Sequence, residues 1–116
     1  MGAELRTLDS PDSPGGITTY APADERSFSL LVEASIGAAG SPGADLFGFQ
    51  VVGSDRFSEN RPEKEFRWGR HYLVVDRWDP QVVRRAIDDL CKRVEGRDWQ
   101  EIAVKLASYG HWEFES

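Results

Sequence analysis

Two segments near the middle of the chain alternate between apolar and polar positions with the two-residue period of a β-strand. In the first, RSFSLLVEASIG, the side chains that share the apolar face are Phe28, Leu30, Val32, Ala34 and Ile36. In the second, DLFGFQVV, the apolar face is formed by Phe47, Phe49 and Val51. The turn-forming sequence AAGSPGA separates the two segments. Two alternating strands joined by such a Gly-Pro turn predict an antiparallel hairpin.

Two other segments predict strands of a different character. AELRTL, near the start of the chain, alternates poorly but is long enough for a short first strand. RHYLVVDRW has a nearly continuous apolar centre, which is typical of a strand in the middle of a sheet. The sequence DSPDSPGGITTYAPADE predicts a surface loop, because it is rich in Pro, Gly, Ser and Asp. The charged sequence GSDRFSENRPEKEFRWG has no clear period and predicts an exposed loop or a short irregular segment.

After the last predicted strand, the apolar period changes to that of an α-helix. Asp79 is a suitable N-cap, and Pro80 falls at the first helical position, where its missing N–H is not needed. A second helix begins after Asp98, with Glu101 placed for a capping box, and ends at Gly110. The apolar positions of the two helices are Val83, Ala86, Ile87, Leu90, Cys91 and Val94, then Trp99, Ile102, Ala103 and Leu106.

The order of these elements, strands first and helices last, predicts an α+β fold. We expect an antiparallel sheet of about four strands, covered on one face by the two C-terminal helices. A chain of 116 residues is the size of one domain, so we predict a single domain over residues 1–116.

The C-terminal sequence HWEFE alternates strictly between polar and aromatic residues. An extended segment of this pattern has Trp112 and Phe114 on one side, while His111, Glu113 and Glu115 lie on the other. We predict that both aromatic rings pack against the sheet or the helices, and that the acidic side chains are exposed.

The charge of the chain narrows the choice of partners. Its 20 acidic and 14 basic residues give a net charge of -6. Nucleic-acid-binding proteins normally have a basic surface, so we predict no direct contact with nucleic acid. An acidic surface keeps a small domain soluble and also speeds its encounter with a basic partner. MGAELRTLDS is not a secretory signal, and no apolar run approaches the about 20 residues that span a bilayer. We therefore predict a cytoplasmic protein that does not associate with membranes.

Sequence patterns of catalysis and of metal binding are missing. Neither His71 nor His111 has a second ligand at metal-binding spacing. The glycines of GAAGSPG are followed neither by a Lys-Ser/Thr pair nor by a helix, as a phosphate-binding loop requires. There is no Gly-x-Ser-x-Gly motif, and Cys91 falls on the apolar side of a predicted helix, where a thiol is unreactive. We predict a protein with no catalytic residues, no cofactor and no metal ion.

Three separated motifs occur together in the second half of the chain. They are Gly-Arg-His-Tyr at 69–72, Trp99 at the start of the last helix, and Trp-Glu-Phe at 112–114. Together they resemble the immunity protein 8 family of bacterial polymorphic toxin systems. AELRTLDSPD and FSLLVEASIG are also similar, whereas SDRFSENRPEKEFRW departs from the family pattern. The resemblance implies an α+β fold and a protein that binds and blocks a toxin domain made by the same cell or its kin.

The leading hypothesis from the sequence is therefore a toxin inhibitor that acts by protein–protein association. Many toxins of such systems are nucleases with basic substrate clefts, which an acidic inhibitor suits. We expect a monomer or weak homodimer whose contacts lie first in the charged loop, where Trp68 is either a lid over the sheet or a binding anchor. The candidate partner-binding residues are Glu59, Glu63, Glu65, Trp68, Arg70, His71, Glu113 and Glu115.

Two other hypotheses stay open at this point. In the first, Arg70, His71 and Glu113 converge in a pocket, and the chain is a small enzyme or a domain that binds an anionic ligand. In the second, the polar face of RSFSLLVEASIG is a dimer surface, and the chain is a structural domain.

Overall fold

The computed structural model describes residues 1–55 and 66–114 of the chain. Within these ranges a mostly antiparallel sheet has the strand order β1-β2-β3-β5-β4, and β6 pairs with β3 as a side branch. The elements are β1 (Ala3–Asp9), β2 (Ser29–Ala38), β3 (Asp45–Gly53), β4 (Phe66–Gly69), β5 (Tyr72–Val75), α1 (Pro80–Arg93), α2 (Trp99–Leu106) and β6 (His111–Trp112). The α+β fold class is confirmed, with six strands in place of about four.

The hairpin predicted from the two alternating segments is formed by β2 and β3. The strands are antiparallel, and Val32 lies opposite Phe49 in the register. The apolar positions of both strands are almost completely buried because the helices cover this face of the sheet. The two-residue period therefore located the core face of the sheet correctly.

Two features of the sheet differ from the sequence prediction. The end of the charged segment, Phe66–Gly69, forms β4 and not an irregular segment. β4 pairs with β5 as an antiparallel hairpin, and β4 lies on the outer edge. The hairpin places β5 between β4 and β3, and β5 runs parallel to β3. The predicted interior position of β5 is confirmed, since Leu73, Val74 and Val75 are all fully buried.

The helices begin where their caps predicted. Asp79 accepts a hydrogen bond of 2.9 Å from the backbone N–H of Gln81, and Asp98 accepts one of 2.9 Å from Glu101. Cys91 lies in α1 with 1 % of its surface exposed. Burial, with a smaller contribution from the nearby carboxylate of Asp88, raises the pKa of the Cys91 thiol to about 12. The thiol therefore stays protonated and unreactive at neutral pH.

Candidate functional site

A cleft lies where α2, the β4–β5 turn and the C-terminal segment meet. Its volume is about 720 Å³. We call it the aromatic cleft, and it is lined by Asp45, Arg70, His71, Trp99, Gln100, Val104, Ala107, Ser108, Trp112 and Phe114. The cleft thus combines three aromatic residues with charged and polar groups.

One carboxylate oxygen holds two walls of the aromatic cleft together. The indole N–H groups of Trp99 and Trp112 donate to the same atom, Asp45 Oδ2, over 2.8 Å and 2.9 Å. Phe47 supports both rings from the core side: its ring lies 6.4 Å from that of Trp112 in a nearly parallel stack, and 6.3 Å from that of Trp99 edge to face. These four contacts join β3, α2 and β6.

The outer wall of the cleft is apolar and exposed to solvent. Phe114 has 65 % of its surface exposed, and Val104 has 57 %. The expectation that both C-terminal aromatics are buried is therefore wrong for Phe114, whereas Trp112 is half-buried as part of β6. The difference arises because β6 ends at Trp112, so that Phe114 makes an edge contact with the Trp112 ring at 6.0 Å and is otherwise mostly uncovered by the described residues.

The β4–β5 turn supplies the polar wall. His71 adopts a positive φ of 68°, in the left-handed region that few non-glycine residues enter. His71 Nε2 lies 2.8 Å from the carbonyl oxygen of Ala107, and because a carbonyl only accepts, Nε2 carries the hydrogen. The His71 ring also contacts that of His111, with 4.5 Å between centroids. Arg70 is exposed and forms no ion pair with the residues described.

Comparison with known protein families identifies the family of the chain. The family model described as Immunity protein 8 matches residues 3–116. The chain belongs to the immunity protein 8 family. No curated protein and no solved structure matches the chain. The match covers nearly the whole chain and confirms the resemblance carried by the three motifs.

The structure of this immunity protein brings together some of the predicted contact residues. Arg70 and His71 both line the aromatic cleft. Glu113 does not line it and is bound to the β3 edge: its backbone N–H donates to Leu46 O over 3.0 Å, and its Oε1 accepts from Leu46 N over 2.9 Å. The four remaining glutamates lie outside the described residues and are Glu59, Glu63, Glu65 and Glu115.

Trp68 lies over the core of the immunity protein and not in the aromatic cleft. It is half-buried in β4, and its ring lies 5.5 Å from both Phe49 and Tyr109. This position is that of a lid over the sheet. Its indole N–H is buried and has no hydrogen-bond partner among the described residues. A role for Trp68 in partner contact stays a prediction.

Sequence patterns alone did not identify two important residues of the cleft. Val104 carries a weak signal, because it is an apolar residue outside the buried stripe of α2. Asp45 carries none, because its partners Trp99 and Trp112 are 54 and 67 residues away in the sequence.

The described residues contain no group of three or more His, Cys, Asp or Glu side chains that could hold a metal ion. Neither described helix is long and apolar enough to cross a membrane.

The positive φ of His71 gives the first testable prediction. We expect His71→Ala to destabilise the fold by about 1 kcal/mol more than His71→Gly, because alanine pays the steric cost of the left-handed region and glycine does not. Both variants lose the bond to Ala107 and the contact with His111, so their difference isolates the backbone term. Urea denaturation of the two variants measures it, and equal free energies of unfolding would contradict the prediction.

Proposed function

We propose that this protein binds a cognate toxin domain of a bacterial polymorphic toxin system and blocks it by association through the aromatic cleft. Family membership supports the class of partner. The exposed apolar side chains of Phe114 and Val104 in the cleft are the observation that supports the location. We further propose that residues 1–116 act as one immunity-protein-like domain in the cytoplasm, as a monomer or weak homodimer.

The apolar wall has the composition of an interface centre. Clustered exposed apolar side chains on a small domain mark interaction sites more often than scattered ones do. Aromatic residues that become buried at the centre of an interface contribute most of its binding energy. Phe114 and Trp112 meet edge to face, so a partner that covers Phe114 also covers the open part of the indole. The rim around them is polar, with Arg70, Gln100 and Ser108.

The negative net charge of the protein favours a basic toxin as its partner, and we propose that this toxin is a nuclease. Many bases of the helices are paired within their own helix: Lys92 with Asp88, Arg93 with Asp89, and Lys105 with Glu101. Each of these pairs uses one base and one acid and leaves the net charge of -6 unchanged, and this net charge acts at longer range. Such a charge raises the association rate with a basic partner, in a manner that salt weakens.

Co-expression with the toxin domain encoded by the neighbouring reading frame tests the proposal. We expect the protein to restore growth of cells that produce the toxin domain, and to co-purify with an attenuated form of it. The association rate should fall as the salt concentration rises, because the Debye length shrinks to about 3 Å at 1 M salt. A chain that neither binds the toxin domain nor protects the cells contradicts the proposal.

A second candidate function is the binding of a small anion in the same cleft. Two observations favour it: the cleft volume of about 720 Å³ falls in the range of ligand pockets, and the Arg70 guanidinium forms no ion pair with the described residues. In this case phosphate or a carboxylate should raise the melting temperature of the wild-type chain and leave that of Arg70→Ala unchanged. A melting temperature that responds to neither anion removes this candidate.

A further inference from the structure

We propose that Asp45 is a positioning residue of the toxin-binding surface, whose carboxylate forms the aromatic cleft before the toxin arrives. This inference rests on the proposed function. It assigns to Asp45 no contact with the toxin; its effect comes through the two indoles that it holds.

The geometry of the carboxylate supports this role. Asp45 is the first residue of β3, where its backbone pairs with Ile36 of β2 and is fixed by the sheet. Its Oδ2 atom accepts the N–H groups of Trp99 and Trp112 over 2.8 Å and 2.9 Å. Hydrogen bonds to a charged acceptor are stronger than those between neutral groups. An indole whose N–H is held at one end and whose ring packs against Phe47 has little freedom left to rotate.

The anchoring of β6 explains why this bond matters. β6 has two residues and two partners in β3, Phe47 and Gly48, so its backbone pairing is short. Beyond this pairing, the described polar contacts between the segment and β3 are of two kinds. The Trp112 indole bonds to Asp45, and Glu113 bonds to Leu46. Phe114 reaches the cleft through its edge contact with Trp112. Segments with few contacts open locally at low cost, so the loss of the Asp45 bond releases Trp112 and Phe114 together.

A pre-formed surface has a distinct kinetic signature. When only a fraction of the molecules has the cleft formed, the apparent dissociation constant rises by the inverse of that fraction. This loss of affinity comes from a slower association rate, because the complex holds the rings in place once it has formed. We therefore expect Asp45→Ala to slow association with the toxin domain about tenfold, with a nearly unchanged dissociation rate. Substitution of a ring that touches the toxin has the opposite signature, since it speeds dissociation.

Asp45→Asn is the matched control. It removes the same charge as Asp45→Ala, yet its amide oxygen can still accept both indole N–H groups. We expect Asp45→Asn to associate with the toxin domain much faster than Asp45→Ala, and close to the wild-type rate once steering is screened by salt. Equal slowing in the two variants at high salt would overturn the inference, because the effect would then not depend on the acceptor.

Two measurements on the full chain test the inference. The first is made without the toxin: the two bonded indole Nε1–H signals of the wild-type chain should be protected from hydrogen exchange in an NMR spectrum. They should lose that protection in Asp45→Ala and keep most of it in Asp45→Asn. The second is stopped-flow association with the recombinant toxin domain. Unchanged indole protection in Asp45→Ala, or association at the wild-type rate, overturns the inference. A wild-type chain that does not bind the toxin overturns the proposed function instead.

Discussion

Replacement of Phe47 by alanine is expected to destabilise the fold by about 3–5 kcal/mol, the range for an aromatic residue removed from a packed core. Phe47 is completely buried in β3, and its ring supports both Trp99 and Trp112. A domain of this size is stable by about 5–15 kcal/mol, so the loss is a large part of the total. The cavity would lie under both indoles, so the substitution would both destabilise the fold and disrupt the aromatic cleft.

Urea denaturation of Phe47→Ala against the wild-type chain measures this loss. The neighbouring residue provides the control: Leu46 lies on the opposite face of β3 with 42 % of its surface exposed. Leu46→Ala leaves the backbone bonds to Glu113 in place and should cost less than about 1 kcal/mol. Equal losses in the two variants would contradict the burial pattern of β3.

Local sequence patterns predicted those parts of the fold whose partners are near in the sequence. The alternation of β2 and β3 specified both the hairpin and its buried face, because one face of each strand packs against the helices. The caps Asp79 and Asp98 fixed the starts of the helices through bonds to residues two and three positions away. Each of these features is decided within a few residues, and the sequence displays it directly.

Features that depend on distant contacts could not be predicted in this way. β4 lies in a charged segment, yet Trp68 packs on Phe49 and Tyr109, and this tertiary contact offsets the weak local preference for a strand. The parallel pairing of β3 with β5 follows from the position of β4 and not from either strand alone. In the sequence Asp45 is an ordinary first residue of a strand. Only the fold brings two indole N–H groups to its carboxylate oxygen.

In the C-terminal segment, the alternating pattern predicted the side on which the residues lie, but the burial predicted from it was wrong for Phe114. His111–Trp112 does pair with β3, with Trp112 stacked on the buried ring of Phe47 and Glu113 bonded to the strand edge. The pattern predicted which side Phe114 shares with Trp112. It did not predict that β6 ends at Trp112, which leaves Phe114 with 65 % of its surface exposed.

That exposure leads to the largest expected effect on binding. Phe114→Ala should weaken association with the toxin domain by about 2 kcal/mol, or about thirtyfold in the dissociation constant. The reason is that the ring is free to be covered by a partner, and burial of an aromatic side chain contributes about 1.5–3 kcal/mol. The free energy of unfolding should change by less than about 0.5 kcal/mol, as for other exposed positions.

Binding kinetics and urea denaturation of the same samples distinguish a lost contact with the toxin from a loss of stability. Leu46→Ala again provides the control, because Leu46 is an exposed apolar residue that does not line the aromatic cleft. It should keep the dissociation constant of the wild-type chain within about threefold, less than 1 kcal/mol. Phe114→Ala should act mainly by faster dissociation, in contrast to the slower association expected of Asp45→Ala. If Phe114→Ala binds with wild-type affinity, the toxin contacts another surface, and the exposed ring has no part in the interface.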